Sequence, residues 1–367
     1  MAGKTIAVGD AVMESVGPVG VHARRLRGGR SEGVLVVELI AGGSRVVVLP
    51  DRGLGVWRAV LNGVELGWQS PVAGPVHPRF VPVAEPSGLG WLDGFDELVA
   101  RCGLVSNGAP DFDSRGRLAH PLHGRIANLP AHDVSVTLDE SAGTVTLSGC
   151  VDETRFLIHD LRMRTQLTLH ADRGLVSWTD TVENRSDRPA TMQMLYHVNI
   201  GPPLLGAGAE VLLDAEEIAP RDAAAVGDVP TWNRYALPLA GRGEQVHFMR
   251  VRPDAAGRAA ATLVAADGAA AARLTWRAAE LPCFTLWKNQ GGLADGYVTG
   301  LEPATNYPNP RSFEETQGRV VTLAPHAEIA FDLGLDVITA DAIRAIRERL
   351  APRPTIHPQP KPGWTAA

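Results

Sequence analysis

Short runs in which apolar and polar residues alternate dominate this chain, and period two predicts strands. Val134-Ser-Val-Thr-Leu138 alternates, as does Thr144-Val-Thr-Leu-Ser148, and the turn-forming Asp139–Gly143 between them predicts a hairpin. Met163–Leu169, the turn Ala171–Gly174 and Val176–Val182 repeat the pattern, and Arg185–Pro189 turns the chain into Ala190–Tyr196. Earlier, Gly33–Leu39 and Arg45–Leu49 are β-branched runs parted by Ala41–Ser44. Later, Gln245–Val251, Ala261–Val264, Ala272–Trp276 and Phe284–Lys288 read as strands, and Gly318–Leu323 with Glu328–Leu333 reads as a last hairpin around Pro325. Consecutive strands with short turns predict an antiparallel meander with one face on a core. The strong helix signal is Thr339–Leu350: Thr339 is an N-cap candidate, Ile343, Ile346 and Leu350 share a face, and Pro352 stops it. The fold class is therefore all-β, one large sandwich over 1–338, followed by a C-terminal helix and a loosely ordered tail over 339–367.

Composition narrows the functions. Hydrophobic residues make up 45% and charged residues 21% of 367, enough apolar matter for a sizeable core. A net charge of −6 with scattered arginines argues against nucleic acid. The opening Met1–Asp10 lacks the apolar run of a signal peptide, and no stretch is long enough to span a bilayer. Cys102, Cys150 and Cys283 are odd in number and widely spaced, which fits free thiols and a cytoplasmic location. No phosphate loop, HExxH or GxSxG elbow occurs, and the histidines do not fall at zinc spacing. No cofactor or metal is called for. The unprotected sheet edges of such a fold allow a homodimer.

Three segments concentrate polar chemistry. In Pro121-Leu-His-Gly-Arg125 a histidine precedes a glycine that lets backbone approach closely, and Arg125 follows two residues on. A solvated surface loop would read the same way. In Leu195-Tyr-His-Val-Asn199 alternation puts His197 and Asn199 on one face of a strand, where a histidine can move protons near neutrality or sit as a satisfied core residue. In the third, Trp287-Lys288 is followed by Gly300-Leu-Glu-Pro303 and the proline-rich Asn306–Arg311, so that the Glu302 carboxylate ends a strand beside amide and guanidinium groups.

At these segments the chain resembles the aldose 1-epimerase (galactose mutarotase-like) superfamily, in an uncharacterised branch. Leu49-Pro-Asp-Arg-Gly-Leu54, Trp91–Gly108, Leu122-His-Gly-Arg125, Leu195–Asn199, Gly300–Thr305 and Tyr307–Arg311 carry the likeness in the expected order along most of the chain. The resemblance implies a twisted β-supersandwich with a sugar groove across one sheet. It also implies that His123 holds the sugar, His197 acts as general acid and Glu302 as general base; ring opening by proton transfer then asks for the carboxylate and the imidazole on opposite sides of the ring, with no cofactor. Arg125, Asn199, Lys288, Asn306 and Arg311 would then bind hydroxyls or an anionic group, and Asp228 is the candidate for a hydroxyl-binding aspartate. Tyr196 stands where the family has asparagine, and Arg125 where it has a second glycine, an extra arginine that could select a sugar acid, a ketose or a phosphorylated sugar in place of a free aldose. The expected activity is aldose 1-epimerase-like mutarotation. Its rivals are another sugar isomerase or a lyase, with or without a metal, and a carbohydrate-binding protein without catalysis.

Overall fold

A computed structural model describes residues 3–350 and 353–366. Among these residues two large sheets face each other. The smaller runs, from edge to edge, through Lys4–Ala7, His132–Asp139, Thr144–Arg155, His159–His170, Leu175–Asn184, Glu328–Thr339, Ala270–Arg277, Arg258–Val264 and Glu210–Leu213. Every pairing in it is antiparallel, and the hairpin expected at 134–148 forms with Asp139 opposite Thr144. Alternation explains the layer: Val145, Leu147 and Val151 of one strand and Leu161, Met163, Leu167 and Leu169 of the next face inward and are fully buried.

The larger sheet carries the chemistry. Its central strands are β1 (Val99–Leu104), β2 (Ala190–Ile200), β3 (Gln245–Val251), β4 (Cys283–Asn289) and β5 (Val298–Ala304), lying side by side in the order β1, β2, β5, β4, β3. Met192, Met194, Tyr196, Val198 and Ile200 of β2 enter the core between the sheets. Beneath them Asp180 of the other sheet accepts from the Tyr196 hydroxyl (2.9 Å), Arg101 Nε (2.6 Å) and the Thr165 hydroxyl (2.6 Å). A buried charge so fully bonded fixes one sheet against the other at the strand that bears His197.

Two expectations need correcting. Gly318–Leu323 and Glu328–Leu333 do not pair with each other. Val321–Leu323 joins β2, whereas Glu328–Thr339 crosses to the smaller sheet, so the turn around Pro325 links two layers. The end of the chain is also better ordered than its prolines suggest. Thr355–Ile356 pairs in parallel with Glu217–Ile218, and Trp364 packs on Tyr307 with ring centroids 4.9 Å apart. The helix forms over Ala340–Arg349 behind Thr339, whose side chain makes no capping bond, and Ile343 is its buried anchor. Pro352, the expected stop, lies outside the described residues. No helix among the described residues is long and apolar enough to cross a membrane. Cys102, Cys150 and Cys283 are all free thiols.

Candidate active site

On the outer face of β1, β2 and β5, Trp68, Trp91 and Phe95 of a strap, residues 68–97, pack over the sheet, and beside them His197 and Glu302 meet. On β2 the odd residues Leu195, His197 and Asn199 point away from the core that takes the even ones. The register that pairs Val198 with Leu301 and Asn199 with Gly300 sets His197 across from Glu302 on β5. Continuing outward, Glu302 lies opposite Thr285 of β4, and Thr285 opposite Phe248 of β3. One row across the sheet therefore reads His197, Glu302, Thr285, Phe248.

His197 Nε2 and Glu302 Oε1 are 3.2 Å apart, and both residues are at most 4% exposed. The tautomer of His197 follows from its neighbour. Asn199 Nδ2 donates to the carbonyls of Glu97 (2.9 Å) and His197 (3.1 Å), which orients the amide so that its Oδ1 accepts from His197 Nδ1–H at 2.6 Å. Nε2 of the neutral ring is thus a bare lone pair facing a carboxyl oxygen. Two lone pairs at that distance repel, so one of the two groups carries a proton, although the contact itself does not have hydrogen-bond geometry. Burial pushes Glu302 well above the ordinary carboxylate range, with Glu244 adding to the rise, and holds His197 well below the ordinary imidazole range, with His123 adding to the fall. Both directions describe a protonated carboxyl beside a neutral imidazole. The two groups stand side by side, not on opposite sides of a ring as expected.

Gly300 makes room for the pair. A Cβ there would lie 2.4 Å from Glu302 Oε1 and 3.0 Å from His197 Cε1, so any side chain would displace them. Glu302 Oε1 and Thr285 Oγ1 are buried without a hydrogen-bond partner among the described residues. Such groups, aimed at one recess, suit a polar ligand.

His123 enters the same recess from a strained loop. Its φ is +57° and that of Gly124 is +71°, and a Cβ on Gly124 would stand 2.0 Å from the Ser106 carbonyl, so the glycine after His123 is a packing requirement. His123 Nδ1–H donates to the Asn107 carbonyl at 2.9 Å, leaving Nε2 free, and burial lowers its pKa to about 4. Trp91 (4.6 Å from the His123 ring), Phe95 (5.1 Å from the His197 ring) and Trp287 (5.3 Å from the His197 ring) wall the histidines with aromatic faces. The strap is held down by Arg52 of the Asp-Arg-Gly segment, itself 1% exposed. Its guanidinium bonds Glu97 Oε1 (2.5 Å), the Val76 and Gly94 carbonyls and Asn128 Oδ1.

The recess measures about 270 Å³, a small site on the scale of ligand pockets. Its outer rim carries Arg221 and Glu244, joined at 2.8 Å, and Glu244 also accepts from Trp287 Nε1 at 2.7 Å. Sequence reasoning missed Arg221, Glu244, Thr285 and the strap aromatics. Thr285 and Trp287 could have been found from alternation about β4, whereas the rim residues sit in loops whose folding no local pattern reveals.

Of the other residues expected to bind substrate, several lie elsewhere. Asn199 sits behind His197 and is fully buried. Lys288, one residue from Trp287, faces the opposite side of its strand and is spent on Asp228 (2.6 Å) and the Thr231 carbonyl. Asp228 also takes His247 at 2.9 Å, so it lines no part of the recess. Asn306 is fully buried in a reciprocal amide pair with Asn107 (2.9 and 3.0 Å), the residue whose carbonyl holds His123. Arg311 bonds the Val105 carbonyl and Thr191 Oγ1, and Arg125 opens into a separate cavity behind the His123 loop. The six positions were chosen for residue type, and strand parity and loop packing divert all but His123 from the recess.

Comparison with known proteins agrees with this architecture. The model of a family described as a domain of unknown function (DUF4432) matches residues 31–337. A "putative aldose 1-epimerase" of Klebsiella pneumoniae superposes with a TM-score of 0.90 at 30% identity, over 98% of this chain and 95% of that one. A galactose mutarotase-like protein of Clostridium acetobutylicum (TM-score 0.58, 15% identity, 87% and 98% covered) shares the fold. So does galactose 1-epimerase of Lactobacillus acidophilus (TM-score 0.55, 12% identity, 87% and 98% covered). No curated protein matches in sequence.

Proposed function

The chain belongs to the DUF4432 branch of the galactose mutarotase-like superfamily, and on that ground we propose that it is a carbohydrate-active isomerase that interconverts the anomers of a sugar by acid–base ring opening. The observation that carries this reading is the contact between His197 Nε2 and Glu302 Oε1, a buried acid–base pair 3.2 Å apart.

Mutarotation asks for what such a pair offers. A proton leaves the anomeric hydroxyl, the bond from C1 to the ring oxygen breaks, and the ring oxygen gains a proton. Both oxygens are attached to one carbon, so a donor and an acceptor standing side by side can serve them together. With the proton on His197, Glu302 is a carboxylate. It takes the hydroxyl proton while His197 gives its own to the ring oxygen. The pair is then a neutral imidazole beside a protonated carboxyl, the form that burial favours. Rotation about C1–C2 turns the other face of the aldehyde, and reversal of both transfers closes the ring and restores the first form. Protons and bonds balance without a cofactor. Each transfer supplies about 10²–10⁴-fold.

His123, neutral above about pH 4, would accept a hydroxyl hydrogen at Nε2, and Thr285 would bond a neighbouring hydroxyl. The aromatic walls suit the apolar faces of a pyranose ring. Saturation-transfer NMR across aldoses, ketoses and uronic acids tests the reading: faster α–β exchange for one class supports it, and unchanged exchange for every sugar overturns it.

A further inference from the structure

A larger cavity, about 430 Å³, lies behind the loop that carries His123 and takes no part in the chemistry above. Its wall includes Ser106, His120, Arg125, Glu153, Arg155 and His159. Pro121 and Arg125 face this cavity, whereas Leu122 and His123, between them in sequence, face the recess.

The charges here are unlike those elsewhere on the molecule. Most of its arginines are tied to carboxylates, as Arg162 and Arg185 are to Asp152 at 2.7 and 3.3 Å. Arg125 and Arg155 are exposed, and among the described residues neither guanidinium has an ion pair or a hydrogen bond. Asp152, one of the two acidic side chains of the wall, is already engaged by Arg162 and Arg185. Glu153 forms the floor at 4% exposure, with Oε2 accepting the backbone N–H of Leu104 (2.6 Å) and Val105 (3.2 Å). Burial lifts its carboxyl to about 7, so near neutrality a large fraction carries a proton and can donate it. Burial, and next the arginines nearby (Arg311 at His120, Arg155 at His159), hold both histidines below the usual imidazole range, so that each presents a neutral ring able to donate one hydrogen.

We propose that this cavity is a second binding site, which takes a phosphate or phosphomonoester group between Arg125 and Arg155. Guanidinium forks match tetrahedral oxyanions in bidentate geometry, and two unpaired forks on one recess leave a positive field that an anion would neutralise. The Ser106 side, the two imidazoles and the Glu153 carboxyl supply further donors, and the volume leaves room for an organic portion beside the phosphate. The proposal does not depend on the reaction assigned to His197 and Glu302.

The test is a ³¹P NMR titration of the full chain at low ionic strength, with inorganic phosphate and, separately, a hexose 6-phosphate. Saturable binding of at least one probe is expected, weakened at least tenfold in the double variant Arg125→Ala/Arg155→Ala. A control double variant, Arg24→Ala/Arg344→Ala, removes the same charge from exposed positions elsewhere and should bind as the parent does. All four side chains are exposed, so both variants should unfold at the parent temperature. Equal affinity for the two probes would identify phosphate itself as the ligand, and tighter binding of the ester would place its organic part in the cavity. Absence of saturable binding by either probe, or equal weakening in both double variants, would overturn the proposal.

Discussion

Replacing Asn199 with alanine should slow the proposed anomer exchange without weakening sugar binding. Asn199 does not reach the recess. It acts through His197, whose Nδ1–H it accepts at 2.6 Å while its own amide is locked by two carbonyls. Alanine leaves a buried Nδ1–H with no acceptor, which costs about 1–3 kcal/mol when the proton stays on that nitrogen. The ring escapes the penalty by moving the proton to Nε2, where it blocks the lone pair that faces Glu302. The working tautomer then lies uphill by the same 1–3 kcal/mol, and kcat should fall by roughly 5- to 150-fold, at about 1.4 kcal/mol per factor of ten. KM should be unchanged, because no sugar contact is lost. The assay is anomer exchange by NMR over a range of sugar concentration, with ¹⁵N shifts of His197 reporting the tautomer. A rise in KM at constant kcat would refute the reasoning and make Asn199 a sugar ligand. So would a normal kcat with the proton shown to remain on Nδ1.

Gly300→Ala should abolish most of the activity at little cost in thermal stability, since its Cβ would meet the Glu302 carboxyl oxygen at 2.4 Å; full activity by the same assay would mean that the pair need not stay in contact. The pH dependence of kcat should be bell-shaped, because the pair works with a single proton. Adding a second proton means charging His197, which burial holds below its usual 6.5, so the acid limb should fall below that value; removing the last means ionising Glu302, held above its usual 4.5, so the alkaline limb should lie above that one. An acid limb at or above the ordinary imidazole value, or an alkaline limb at or below the ordinary carboxylate value, would contradict the shared-proton account.

Much of this architecture was legible in local pattern, for an identifiable reason. In a sheet with one face on a core, parity along the strand records burial, so Val145 and Leu147 could be placed inward, and His197 and Asn199 on one shared face, from alternation alone. Register was not legible. Nothing within β2 or β5 says that His197 stands across from Glu302, because that pairing joins residues about a hundred positions apart. The same gap misplaced Lys288, a cation in a promising segment that strand parity turns away from Trp287 and into the hold of Asp228. Pro325 misled differently: its turn looks like a hairpin, but the strands on either side belong to different layers, a choice made by the packing of Glu328–Thr339 against Leu175–Asn184. Arg52 shows the converse. Its role in tying the strap needs Glu97, Gly94 and Asn128 brought together by the fold, and no motif announces that.

The central claim is that the proton shared by His197 and Glu302 drives ring opening, and Glu302→Gln tests it most directly, because the amide keeps the shape of the side chain but cannot relay a proton. Saturation transfer between the α and β anomers of the responding sugar, measured for the parent and the variant at equal protein concentration, should show exchange falling to the uncatalysed rate in the variant, while sugar still binds and the fold still melts cooperatively. Exchange that continues at the parent rate in Glu302→Gln would contradict the account.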